Sequence, residues 1–361
     1  MSTQRSVNFS ESDGDNQISG FTFLTYGDIS SAAYNRAKLL GSELADQGFR
    51  VQYVVDKTPE NVSNITWWAN DKSKIIFVKR KPHIVGVLHR RIELRKSIRN
   101  NLLIVQLNPH IKAFLSLVGL QSRIVCEWDE PPIFRNGSNI EKHLSKFLHK
   151  WFLKQTEFKI SCTKYFQDLN PEFAYVPHGY YLPISDRTPV IGNYAAYMGN
   201  LQSPWDHDLI FTGALSLASR GIKPEVHIIG SGTELDHWKR FCLENSLTNI
   251  HFLGRLSDLE MQVELENAKV LLNPMRDTLL NQTRCSSKLL AYAQSGRPVI
   301  AHKVGEVEEL LGSFLVGVQV DEPIMDRLAR FLNEVSPDLP PKIIDHSYKE
   351  RASRFVRVLL N

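Results

Sequence analysis

The stretch NPMRDTLLNQTRCSSKLLAYAQSGRPVIA places Arg276, Asp277, Arg284 and Lys288 on a polar loop and at the head of a helix that opens near Ser286. It starts where an apolar strand ends. The N–H groups of a helix N-terminus lack partners and its peptide dipoles sum to partial positive charge, so anions collect there. A lysine in that first turn is locally unfavourable unless an anion joins it. Arg284 and Lys288 around such a terminus suit a phosphate or diphosphate, which needs charge and several donors at once. The competing reading is a Lys288 that is merely solvated or paired with Asp277.

Glycines mark the other turns where a backbone could approach a ligand. Gly27 ends the apolar run FTFLTY and precedes Ser30 and Ser31. Gly199 closes AAYMG, Gly230 sits in IIGSGTEL, and Gly254 precedes Arg255 in FLGRLSD. None belongs to a G-x-G-x-x-G, so a dinucleotide fingerprint is absent, and a turn glycine is the plain alternative. In the first half, candidate proton-transfer or hydroxyl-binding groups also follow apolar runs. They are Asp28, Asn108 and His110 after IVQL, and Asp129 and Glu130 after IVCEW. His110 is equally readable as a helix cap, and Asp129 and Glu130 as a solvated loop.

The elements that must position these groups alternate. FTFLTY, RVQYVVD, KIIFVKR, LLIVQL, RIVCEW, KISCT and AYVPHG read as strands separated by helical segments, among them 86–100, 110–119 and IEKHLSKFLHKWFLK. A second series runs through AAYMGN, EVHIIG, IHFLG, VLLNP and PVIAH, with helices at 205–220, 233–245 and 257–267 and at VEELL. Repeated βα units predict parallel sheets, and two series predict two doubly wound domains. The expected division is a disordered lead at 1–18, a first domain at 19–180, and a second at 181–344. A closing helix within 345–361 should pack back on the first. Ligands of open parallel sheets bind outside the strands' carboxyl ends, which is where all the residues above fall.

At 361 residues, 42% hydrophobic and 23% charged, the chain has the composition of a globular protein too long for one core. No run of about 18 apolar residues suggests a membrane span, and the polar N-terminus lacks the order of a signal peptide. Cys126, Cys162, Cys242 and Cys285 are far apart, which points to buried free thiols in a reducing compartment. No His, Cys or Asp cluster has metal-ligand spacing, so no metal is expected. The net charge of +4 is unevenly placed: Lys79, Arg80, Lys81, Arg90, Arg91, Arg95, Lys96 and Arg99 face only Glu93 in their segment. Residues 142–154 and Arg351, Arg354 and Arg357 add to it. Such a face suits an anionic membrane surface, or else a helix packed on its sheet with a solvated side. Nucleic acid is not expected, because aromatics are not interleaved with the charges.

The run YMGN, IIGSGTE, FLGRLSD, NPMRD…SSKLLAYAQSGRPVIAHKVGEVEELL, with YVPHGYYLP before it, resembles the GT-B glycosyltransferases. The likeness is to the retaining group of bacterial mannosyl- and glucosyltransferases and sucrose-phosphate synthase, and it covers about residues 194–315 well. The resemblance implies two Rossmann-like domains facing a cleft, a nucleoside diphosphate sugar as donor substrate, and no cofactor. It implies a glycan acceptor held by the first domain and polysaccharide biosynthesis; the uneven basic charge adds the expectation of a lipid-linked acceptor and of a cytoplasmic protein peripheral on the inner membrane face. Arg284 and Lys288, with Ser287 at the helix start, would meet the diphosphate. Gly254 and Arg255 would meet the base, and Asp277, Thr278 and Leu279 the sugar. Gly27, Gly199 and Gly230 would line the donor. His110 would stand beside the donor sugar, and Asp129 and Asp277 complete the catalytic candidates, while Asp28, Asn108 and Glu130 would hold the acceptor. Two departures stand out: Ala291 replaces the second of the family's paired glutamates, and GNLQSPWDHD lacks its usual arginine and lysine. A non-catalytic relative that binds sugar or a partner enzyme, or a nucleotide-sugar epimerase of the same form, are the alternatives.

Overall fold

The computed structural model describes residues 18–24, 32–63, 73–79, 83–97, 103–106, 116–117, 123–128, 143, 147, 150–154, 156–180, 187–334 and 345–360. Its first sheet has strands β1 (Gly20–Leu24), β2 (Arg50–Lys57), β3 (Ser73–Lys79), β4 (Leu103–Gln106), β5 (Ile124–Trp128), β6 (Phe158–Ser161) and β7 (Ala174–Tyr175). Their order is β3-β2-β1-β4-β5-β6-β7, with every pair parallel. The helices here are α1 (Ala32–Asp46), α2 (Pro59–Ser63), α3 (His83–Ser97) and α4 (Lys164–Leu169).

The second sheet holds β8 (Ala195–Met198), β9 (Val226–Ile229), β10 (Ile250–Gly254), β11 (Val270–Asn273), β12 (Val299–His302) and β13 (Leu315–Val318). Their order is β10-β9-β8-β11-β12-β13, again all parallel. Helices α5 (Asp208–Ala218), α6 (Leu235–Glu244), α7 (Asp258–Asn267), α8 (Leu279–Thr283), α9 (Ser287–Ser295), α10 (Val307–Leu311), α11 (Ile324–Asn333) and α12 (Tyr348–Leu360) follow in chain order. The strands are short apolar runs because both sheet faces are covered. Strand order reverses between β1 and β4 and between β8 and β11, and each reversal opens a crevice at the carboxyl edge.

Helix α12 returns to the first sheet. Tyr348, Ala352, Phe355 and Leu359 join Phe21, Phe23, Leu40 and Leu44 in one core, with Phe355 edge-on to Phe21 at 5.8 Å. Ile18, expected in the disordered lead, is 6% exposed and belongs to this core; an apolar residue just before a buried strand is drawn in with it. β13 and α11 have no counterpart in the sequence reading.

The two crossings between sheets are tied together. Tyr180 bridges Ser347, and its N–H donates to the His346 carbonyl at 3.0 Å. Arg351 donates from Nε to the His178 carbonyl (3.2 Å) and from Nη2 to His346 Nδ1 (2.6 Å), leaving His346 Nε2 to donate to the Leu310 carbonyl (2.9 Å). Arg351 is therefore buried, not part of a basic surface. Arg90 is likewise buried, paired with Asp56. A buried guanidinium needs a partner for its fork, and both find one inside. Cys126, Cys162 and Cys242 are buried free thiols, whereas Cys285 is only half-buried.

Candidate functional site

The loop after β8 and the loop after β11 flank the crevice of the second sheet. They are joined by Asp206. Its carboxylate accepts from the Arg276 N–H (3.1 Å), from Arg276 Nη1 (2.8 Å) and from Asn281 Nδ2 (2.7 Å). Arg276 also pairs through both terminal nitrogens with Asp208, at 2.9 and 2.5 Å. Its guanidinium pKa is raised first by that hydrogen-bonded Asp208 and then by Asp206. Arg276 thus has a structural role, holding two loops in register.

Lys288 is not paired with Asp277, which accepts instead from Gln282 Nε2 at 2.6 Å. Lys288 Nζ lies 4.7 Å from the ring centre of Tyr197, and the Arg284 guanidinium carbon lies 4.4 Å from that of Trp205. Removal from water lowers the Lys288 pKa to about 7; the charge of Arg284 pushes the same way, and Asp206 opposes. Two cations in one crevice, each over an aromatic face, form a site poised for an anion. α9 starts here with Ser286 as N-cap, yet no side chain caps it, and Ser287 in its first turn is exposed.

The remaining donor candidates fall on the same edge. Thr278 caps α8, accepting from the Asn281 N–H at 3.3 Å, and Leu279 is 44% exposed. Gly199, Gly230 and Gly254 are packed on one another: the Gly230 N–H donates to the Gly254 carbonyl at 2.7 Å. A Cβ at Gly230 would lie 2.0 Å from the Gly199 carbonyl oxygen, and φ there is +131°. This backbone contact is itself a sufficient reason for that glycine. Arg255 donates Nε to Ser231 Oγ at 2.7 Å, joining the turns after β9 and β10. Ala291 packs in the core beneath α9 at 5% exposure, so the position of the absent glutamate faces inward.

Gly27, Asp28, Asn108, His110, Asp129 and Glu130 lie outside the described residues, as do Arg80, Lys81 and Arg99. Their described neighbours show what frames them. Glu127, at the end of β5, accepts from Arg36 of α1 at 2.5 and 3.0 Å, and Arg36 also donates to the carbonyls of Val176 and Pro177 at 2.9 Å. That buried pair fixes the first sheet's carboxyl edge against the crossing segment.

The sequence reading missed three features. Tyr197 and Trp205 face the two cations; an aromatic in an apolar strand or beside a proline carries no sequence signal of such a contact. Asp206 was noted as part of a segment lacking arginine and lysine, and its anchoring role follows from its place opposite Arg276. Glu306, just before α10, is 2% exposed and accepts from Tyr175 Oη and from the Lys164 N–H (2.6 Å). Burial raises its pKa, and it joins the second sheet's helix to the first sheet's last strand. No spacing in the sequence announces that contact.

Residues 192–334 match the family described as Glycosyl transferases group 1. No curated protein matches the sequence. Among solved structures the chain is similar to a glycosyltransferase from Rickettsia africae, with TM-score 0.70 and 11% identity over 94% of this chain and 98% of that one. It is also similar to HepE from Anabaena in complex with UDP and glucose, with TM-score 0.65 and 13% identity over 94% and 97%. A third is sucrose-phosphate synthase from Thermosynechococcus elongatus, with TM-score 0.61 and 13% identity over 94% and 96%. The fold is GT-B.

Proposed function

We propose that this GT-B chain, whose residues 192–334 form a group 1 glycosyl transferase domain, moves a sugar from a nucleoside diphosphate sugar to a glycan or lipid-linked acceptor. The observation that carries this reading is the convergence of Arg284 and Lys288 at the uncapped start of α9, beside Tyr197 and Trp205. A diphosphate there gains two cations and the helix N–H groups. As the donor's bond to the sugar breaks, negative charge grows on that diphosphate, and the same groups stabilise it. They supply what a divalent ion supplies elsewhere, so the reaction is assigned as metal-independent. Transfer with retention, the leaving phosphate assisting the acceptor hydroxyl, needs no protein nucleophile. Asp277 and the backbone of Thr278–Leu280 are assigned to the sugar, Arg255 to the base. The acceptor falls to the first sheet's edge, where Asp28, Asn108, His110, Asp129 and Glu130 follow the strands.

HepE was crystallised with UDP and glucose, which supports testing uridine donors first. The test is a thermal-shift and turnover screen over UDP-, GDP-, ADP- and dTDP-sugars. One donor class should stabilise the protein and be consumed with acceptor, with or without EDTA. Arg284→Ala should weaken turnover by about 2–4 kcal/mol of transition-state stabilisation. Wild-type turnover in Arg284→Ala would overturn the assignment. Ala291 favours one rival, a relative that binds donor without transfer; binding with no consumption under any acceptor would select it.

A further inference from the structure

At the opposite end of the second sheet, three potential ligands meet. Glu225 immediately precedes β9, His227 lies in β9, and His251 is its registered partner in the edge strand β10. Paired residues of adjacent parallel strands project to the same face, so both imidazoles stand side by side. His227 Nε2 is 3.1 Å from Glu225 Oε1, and His251 Nε2 is 3.7 Å from the same oxygen. One ligand atom from each residue lies within 4.8 Å of the others.

We propose that Glu225, His227 and His251 form a binding site for a divalent first-row transition ion of the zinc class. Ligand atoms around a tetrahedral ion at ~2.0–2.1 Å are separated by roughly 3.3–3.5 Å, and the two observed separations bracket that value. Two imidazoles and one carboxylate suit zinc rather than magnesium or calcium, which prefer oxygen alone. The orientation of His227 is already fixed. Glu264 of α7 lies 2.5 Å from Nδ1 and would keep a proton there when an ion takes Nε2, which faces Glu225 at 3.1 Å. A carboxylate holding the far nitrogen of a ligating histidine is the usual support of such sites. Tyr194 stacks on the His227 ring at 3.9 Å and donates its hydroxyl to the Glu264 carbonyl at 3.2 Å. Glu225 is held by its backbone, its carbonyl accepting from the Ala195 N–H at 2.9 Å. Glu225 and His251 are half-exposed, which leaves room for an entering ion and a fourth, water ligand.

The site is at the strands' amino ends, about 10 Å of strand away from the glycine turns of the donor crevice. Its role is to clamp the edge strand β10 to β9, not to take part in transfer. The test uses the full chain, stripped with chelator and then titrated with zinc chloride by calorimetry. Cobalt(II) serves as a spectroscopic probe of four-coordinate geometry. One ion per chain is expected, with at least tenfold weaker binding in His251→Ala and in Glu225→Gln. Magnesium should not compete. His251 is exposed on an edge strand, so its loss leaves folding intact, which circular dichroism checks. Absence of zinc binding, or equal zinc binding by wild type and both variants, would overturn the proposal. Donor turnover is unaffected in either case, so this result stands apart from the glycosyltransferase reading.

Discussion

Lys288 sets function against stability. Its pKa falls from the ordinary lysine value of about 10.4 to about 7 because it has left water near Arg284. Between those values the unfolded chain binds more protons, so this group's contribution to stability rises with pH from about 7 to about 10 and is least favourable below 7. Replacing a desolvated charge by an apolar group of similar length removes the cost of holding it charged away from water. Lys288→Met should raise the melting temperature of the unliganded protein at about pH 6, and the gain should shrink toward about pH 10. The same variant should lose donor binding, whereas wild-type donor affinity should strengthen as pH drops through about 7, where the ammonium forms. Melting curves with and without nucleotide at the two pH values check both arms. A gain that does not vary with pH would contradict the assigned titration.

The turns between elements carry the next level of constraint. The turn after β9 meets the tail of β8 where Gly230 faces the Gly199 carbonyl, and Gly232 similarly faces Leu201. The tail of β8 leads to Trp205 and Asp206, so a displaced turn displaces the crevice. Gly221 also has positive φ, +75°, but open space around it. Gly221→Ala should cost only the left-handed backbone penalty of about 1–2 kcal/mol and leave donor affinity intact. Gly230→Ala adds a clash with backbone that cannot yield, and should cost more, about 3 kcal/mol or above, with weaker donor binding. Denaturant titrations and nucleotide binding on both variants measure the contrast. Equal costs would show that the β8–β9 contact is soft.

At the scale of the whole molecule, α3 presents an apolar stripe to solvent among the described residues. Val85, Leu88 and Ile92 are 58%, 53% and 52% exposed, while Arg90 and Leu94 are buried on the opposite side. At 100° per residue the three apolar side chains form one stripe toward solvent, and exposed Arg95 flanks it. Phe147 at 67% and Trp151 at 39% are further exposed hydrophobics in the same half of the chain. The stripe adds to the sequence's expectation of an anionic membrane surface, from whose basic set Arg90 and Arg351 have dropped out. Among the described residues no helix is long and apolar enough to cross a membrane, so contact would be at the surface. Each exposed basic residue near an anionic leaflet adds roughly 1 kcal/mol, screened by salt. Co-sedimentation should show binding to anionic but not neutral vesicles at low salt, reduced at high salt and in Leu88→Ser/Ile92→Ser. Equal and negligible pelleting with both vesicle types would leave a soluble acceptor as the reading.

The sequence by itself determined the repeated βα units and their parallel sheets. Each follows from local information: apolar runs of strand length, helical periodicity, and glycine at turns. It also singled out Arg284 and Lys288, because a lysine at a helix start breaks a local rule. What only the tertiary structure decided was who partners whom. Arg276 stands in the same polar loop as Arg284 and is bound to Asp206 and Asp208, from a loop far away in sequence. Arg351 and Arg90 looked like surface charges and are buried. Glu306, which no sequence signal marks, joins the two halves through Tyr175. His227 and His251 share a face only because β9 and β10 pair in that register. Charge and hydrogen-bond partners are set by contacts between distant segments, and sequence spacing carries no record of them.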